Sequence, residues 1–225
     1  GEGATDCCQW ERVECSNTTG RVIALDLSYI YSGEYSWYLN ASLFTPFQQL
    51  ESLDLTQNKI AGCVENEGIE RLSRLNNLKM LNLSGNSFNN SILSSLTHLS
   101  SLRSLNLLWN RLEGSIDVKE LHNFTNLEYL TLESSSLHIS LLQSIASIFP
   151  SLKNLSMSFC EVNGVVRGQG FPHFKSLEHF DMRFARIALN TSFLQIIGES
   201  MPSLKYLLLS YSTLGTNSSR ILHQG

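Results

Sequence analysis

Five cysteines hold the most reactive side chains of this 225-residue chain: Cys7, Cys8, Cys15, Cys63 and Cys160. At the N-terminal end their spacing admits two chemistries. A structural zinc site would need a fourth thiolate or an imidazole nearby, and the adjacent pair in Cys-Cys-x6-Cys suits tetrahedral ligation poorly. A disulfide cap would join Cys8 to Cys15 around Trp10 and Val13, and Cys7 would then need a partner that this chain lacks. Cys63 falls in a loop, where a free thiol and a partner outside the chain both fit, and Cys160 reads as a buried thiol. The second chemistry is glycosylation. Asn-x-Ser/Thr occurs at Asn17, Asn40, Asn82, Asn89, Asn123, Asn154, Asn190 and Asn217, about twice the three or four that chance predicts. The excess points to secretion. Catalytic patterns are missing: no Gly-x-Ser-x-Gly, no His-Glu-x-x-His and no phosphate-binding glycine loop occurs, and the six histidines are scattered. The chain reads as a non-enzyme without metal or cofactor.

The elements that must carry these groups repeat. Leu50 to Asn58 reads Leu-x-x-Leu-x-Leu-x-x-Asn, and the frame returns at Leu78 to Asn86 and Leu102 to Asn110. Weaker copies start at Val22, Leu127, Leu152, Leu177 and Leu204, so first positions are separated by 28, 28, 24, 25, 25, 25 and 27 residues. That period belongs to leucine-rich repeats. The fold class is α/β: a curved solenoid, with a parallel sheet on its concave face and loops and short helical turns on its convex face. Residues 1–21 form the C-terminal part of a cysteine-containing N-terminal cap. Residues 22–225 form a solenoid of about eight repeats, with no C-terminal cap visible.

Within each frame, Leu53 and Leu55 point inward and Asp54 outward, because strand side chains alternate. A second apolar ladder precedes each frame by three residues: Phe47, Leu75, Leu99, Phe124, Phe149, Phe174 and Met201. The ninth-position Asn satisfies buried backbone groups of the turns. Later repeats place Ser135, Cys160, Ala185 and Ser212 there, so the Ala185 turn should be looser. Apolar spacing over Gly68–Asn77 and Leu141–Phe149 predicts short helical turns. Tyr29 to Tyr38 reads as a Tyr/Ser-rich surface loop.

Composition narrows the partners. Sixteen basic and 20 acidic residues give a net charge of −4, with no basic block for nucleic acid. No apolar run approaches the roughly 20 residues of a spanning helix. The first residues are polar and form no signal peptide, so an export signal or membrane anchor is expected outside the chain.

The run Asp6-Cys7-Cys8-Gln9-Trp10-Glu11-Arg12-Val13-Glu14-Cys15, then Thr19-Gly20-Arg21-Val22 and the repeats, resembles the N-terminal cap of plant extracellular leucine-rich-repeat proteins, above all receptor-like proteins. The resemblance implies that Cys8 pairs with Cys15 and that Cys7 pairs with an upstream cysteine. It also implies an apoplastic, plasma-membrane-anchored receptor that recognises a peptide, protein or glycan in immunity or development. Signalling would run through a co-receptor kinase bound by C-terminal repeats outside the chain. Two other readings stay open: a secreted inhibitor similar to polygalacturonase-inhibiting proteins, and a receptor-kinase ectodomain. The family's Gly-x-Ile-Pro ending is replaced by Gly62-Cys63-Val64, Gly114-Ser115-Ile116-Asp117 and Gly164-Val165-Val166, which leaves the family's second small strand in doubt.

Outward positions nominate a ligand surface on the concave face: Trp109, Tyr129, Phe159, Phe184 and Tyr206, with His179 and Arg183 as polar contacts. Acidic and basic residues intermix there, so no strongly charged ligand is implied. Asn82 and Asn154 also face outward, where a glycan would cover part of the surface.

Overall fold

A strand that buries alternate leucines needs neighbours that do the same. The structure, a computed structural model, describes residues 6–113, 124–132, 137–138, 140–158, 160, 162–163, 173–184 and 191–209. The chain divides into two units, Gly1–Arg111 and Leu112–Gly225. The first holds β1 (Val13–Cys15), β2 (Val22–Asp26), β3 (Trp37–Leu39), β4 (Ser52–Asp54), β5 (Ile60–Cys63), β6 (Met80–Asn82) and β7 (Ser104–Asn106). The second holds β8 (Tyr129–Thr131), β9 (Leu137–His138), β10 (Asn154–Ser156), β11 (Val162–Asn163), β12 (His179–Asp181) and β13 (Tyr206–Leu208). In the first unit β1 lies antiparallel to β2, and β2, β4, β6 and β7 follow in parallel. In the second, β8, β10, β12 and β13 are parallel neighbours. Both are stretches of leucine-rich-repeat solenoid.

Leu53, Leu81 and Leu105 of the first unit are buried, as are Leu130, Leu155 and Phe180 of the second. Each such side chain contributes about 1.5–3 kcal/mol. Leu75 and Leu99 close the first core from the other side, and Phe124, Phe149, Phe174 and Met201 close the second. Phe47 is only half-buried. The rings of Phe124 and Phe149 pack at 6.4 Å. The connecting segments are helical where the apolar spacing predicted it: a 3₁₀ turn at Ile69–Arg74 and a helix at Ser140–Ile148.

The ninth-position asparagines tie one repeat to the next. Asn86 Nδ2 donates to the carbonyls of Leu55 and Leu83, each at 2.9 Å, and its Oδ1 accepts from the N–H groups of Asn58 and Ile60 at 3.1 and 3.0 Å. Asn58 bonds Leu27 and Leu55 in the same way, and Asn110 bonds Leu83 and Leu107. In the second unit the buried Cys160 thiol occupies this slot, 3.7 Å from the Leu132 carbonyl. It imitates the amide weakly.

Two features of the turn were not read from the sequence. Position five is an Asx cap: the side-chain oxygens of Asp26, Asp54, Asn82, Asn106 and Asp181 accept from the N–H two residues on, at 2.8–3.2 Å. Position eight then takes a left-handed backbone, with φ of 56° at Tyr29, 58° at Gln57, 66° at Gly85, 55° at Trp109 and 60° at Phe184.

Two sequence expectations are corrected, the loop positions of Cys63 and of Trp37 with Tyr38, and one open question is answered. Cys63 lies on a strand, not in a loop, and burial pushes its thiol up to about 11, so it is a poor nucleophile. The second small strand does form without Gly-x-Ile-Pro: β3 pairs with β5, and β9 with β11. Backbone pairing there needs an extended chain and a neighbour, neither of which requires proline. The same pairing takes Trp37 and Tyr38 out of the expected loop. Ser135, Ala185 and Ser212, and the sequons at Asn123, Asn190 and Asn217, lie outside the described residues.

Replacing Asn86 with Ala strands the buried N–H groups of Asn58 and Ile60 and leaves the Leu55 and Leu83 carbonyls to Asn58 and Asn110 alone, and should cost about 2–4 kcal/mol. Urea denaturation reads the loss. Glu65→Ala, on the surface, should stay within about 0.5 kcal/mol. An Asn86→Ala loss no larger than that would mean that the amide does not hold the turns.

Candidate ligand-binding face

Parallel pairing in register puts the first residue of every strand in one row. In the second unit this row runs Tyr129, Asn154, His179, Tyr206, over roughly 14 Å at the usual strand spacing. The two tyrosines at its ends are about half exposed. The rings of His179 and Tyr206 stack at 4.4 Å and 33°. Thus Tyr129, His179 and Tyr206, far apart in sequence, share one exposed row. Asn154, expected to face outward as a sequon, sits between Tyr129 and His179. Its third position in the frame already carried that information.

Phe184 follows β12 on the turn, 44% exposed, next to Arg183. Arg183 is turned to its own strand: its Nη2 lies 2.7 Å from Asp181 Oδ2, and its Nε bonds both carboxylate oxygens. Burial would raise the Asp181 carboxyl, but hydrogen bonds from Arg183 outweigh it and hold the group below the usual range. The guanidinium is therefore neutralised locally. Trp109 belongs to the first unit, on the turn after β7, and is 53% exposed. Phe159 lies outside the described residues.

A row of charges at position two borders the aromatic row and cancels itself. Lys153 Nζ sits 2.8 Å from Glu128, and Lys205 Nζ sits 2.8 Å from Glu178. In the first unit Lys79 pairs with Glu51 at 2.7 Å. The Glu128 hydrogen bond raises Lys153, and the Lys205 hydrogen bond lowers Glu178. What remains for a ligand is shape, aromatic surface and neutral polar groups. In the cap, Cys8 and Cys15 form a disulfide with Cα atoms 5.5 Å apart, and the Cys7 thiol is half-buried. Among the described residues no helix is long and apolar enough to cross a membrane.

Comparison with known proteins agrees with the repeat frame. The Leucine Rich Repeat family model matches residues 77–99. Receptor-like protein 56 of Arabidopsis thaliana is 43% identical over 122 residues, covering 54% of this chain and 13% of the relative. Cuscuta receptor 1 of Solanum lycopersicum is 34% identical over 196 residues, covering 72% of this chain and 17% of the relative. The chain thus spans less than a fifth of either relative's length. Among solved structures, the plant peptide hormone receptor RGFR1 in complex with RGF2 superposes with a TM-score of 0.58 at 19% identity, covering 90% of this chain and 33% of that one, a likeness of fold. The chain is thus a leucine-rich-repeat protein, and its repeats, its N-terminal disulfide and these relatives support a plant receptor-like protein.

Proposed function

We propose that this chain is part of the extracellular recognition region of a plant cell-surface receptor, and that the row Tyr129, Asn154, His179, Tyr206, with Phe184, takes a peptide or protein segment. One observation carries the reading. The turn holds position eight at positive φ, where glycine alone is unstrained and a bulky side chain costs about 1–2 kcal/mol. Gly85 meets that demand, yet the second unit places a half-exposed phenylalanine there, beside exposed tyrosines. That ring stays 44% exposed on a backbone that glycine would hold without strain, so burial alone does not account for it. Recognition does, because exposed aromatic anchors dominate binding energy. Trp109 fits the same logic in the first unit.

The relatives' names, receptor-like protein and Cuscuta receptor, support the receptor reading. The Cys8–Cys15 disulfide and the excess of sequons support an oxidising, extracellular location. A membrane anchor and the contacts to a co-receptor kinase would belong to parts of the protein beyond this chain. The role is binding, without catalysis: the face is open, and its charged side chains are paired.

Phe184→Gly combined with Tyr206→Ala should weaken binding of the peptide fraction of apoplastic fluid by at least about tenfold. The thermal midpoint should move by no more than a few degrees, since glycine relieves the backbone. Unchanged binding would overturn the assignment. The same reading requires Asn154 to be free of glycan in the secreted protein, because a sugar between Tyr129 and His179 would cover the row. Peptide mapping by mass spectrometry tests this, and full occupancy would refute it.

A further inference from the structure

Residues 29–38 read Tyr-Ile-Tyr-Ser-Gly-Glu-Tyr-Ser-Trp-Tyr, and hold four of the chain's seven tyrosines. Their composition is that of a binding loop, in which rigid aromatic side chains supply contact area at low entropic cost and Ser and Gly supply fit. The structure divides the aromatics into two groups. Tyr31 and Trp37 are anchors: their rings pack at 5.6 Å, and Trp37 Nε1 donates to the Asn58 carbonyl at 2.7 Å. Asn58 Oδ1 accepts from the N–H groups of Ile30 and Tyr31, and Lys59 Nζ donates to the Gly33 carbonyl at 2.9 Å. Tyr29, Tyr35 and Tyr38 are left 69%, 79% and 62% exposed. Tyr38 lies over Gly62 of β5, where a Cβ would come within 3.2 Å of its ring. Glycine at that position lets the ring rest on the neighbouring strand.

We propose that this segment is a second recognition surface, a preformed tyrosine platform for an arginine-bearing segment of a partner protein. Pinning at several points lowers the cost of ordering on binding. The only ionised group in the segment is Glu34, which is exposed and makes no ion pair among the described residues. A tyrosine face attracts a cation through its quadrupole. A guanidinium is planar and weakly hydrated, so it stacks on such a face while pairing with a carboxylate, which a compact ammonium does less well. An uncharged sugar would use the rings but leave Glu34 unanswered.

Calorimetric titration of the full chain with tetra-arginine, tetra-lysine and chitotetraose tests the proposal. Tetra-arginine should bind about fivefold more tightly than tetra-lysine, and Tyr35→Ala with Tyr38→Ala should remove that preference and cost about tenfold. Tyr35→Phe with Tyr38→Phe should keep the affinity. Phe184→Gly should not alter it, which separates this surface from the row of the second unit. Equal binding of the two cationic peptides would overturn the proposal, because attraction to net negative charge alone explains it. So would affinity that survives the alanine pair, or chitotetraose binding at these tyrosines with no arginine preference.

Discussion

In the first unit the turns bury backbone groups that water cannot reach, and the side-chain amides of Asn58, Asn86 and Asn110 answer for them. Asn86 donates to carbonyls in its own repeat and the one before, while its oxygen receives two N–H groups. The leucines supply the driving force, but they are interchangeable with other apolar residues: Met157 and Phe180 fill equivalent places. The amide is harder to replace, because few side chains both donate and accept at one point. Cys160 shows the weakened alternative, with sulfur-to-carbonyl distances of 3.7 and 3.8 Å.

The leucine frame was legible because burial has a period. Leu53, Leu81 and Leu130 were placed inward by alternation alone, and they are buried. The aromatic ladder through Phe124, Phe149 and Phe174 was equally plain. The pairing of β3 with β5 was not, since backbone hydrogen bonds leave no side-chain signature and the expected proline motif is missing. The Asx caps leave a mark in the sequence, because Asp26, Asp54, Asn82 and Asn106 recur at position five, but the hydrogen bonds that define them depend on the turn that follows. The capture of Arg183 by Asp181 required geometry, because an Asp-x-Arg spacing points both side chains outward without saying that they meet. Frame position put Tyr129, Asn154, His179 and Tyr206 on one face; register across four strands showed that they form a single row.

The paired charges at position two bear on selectivity. A ligand that brought its own charge to this row would compete with Lys153–Glu128, whose carboxylate is half-buried, or with Lys205–Glu178, which is more open to screening by salt. Neutral groups meet no such competition. In the proposed binding role, such a row would select by contour and hydrogen bonding more than by net charge, and discrimination between similar ligands would rest on the rings.

The left-handed backbone at position eight has a consequence for how such a chain can change over time. Tyr29, Gln57, Gly85, Trp109 and Phe184 all occupy that conformation, so the strain belongs to the turn and is similar for any side chain with a Cβ. Once it is tolerated, exchanging one residue for another there alters the exposed surface and leaves the core as it was. In the proposed binding role, specificity could drift at this position while the backbone demand stays the same, and a lineage could sample new ligands through single substitutions.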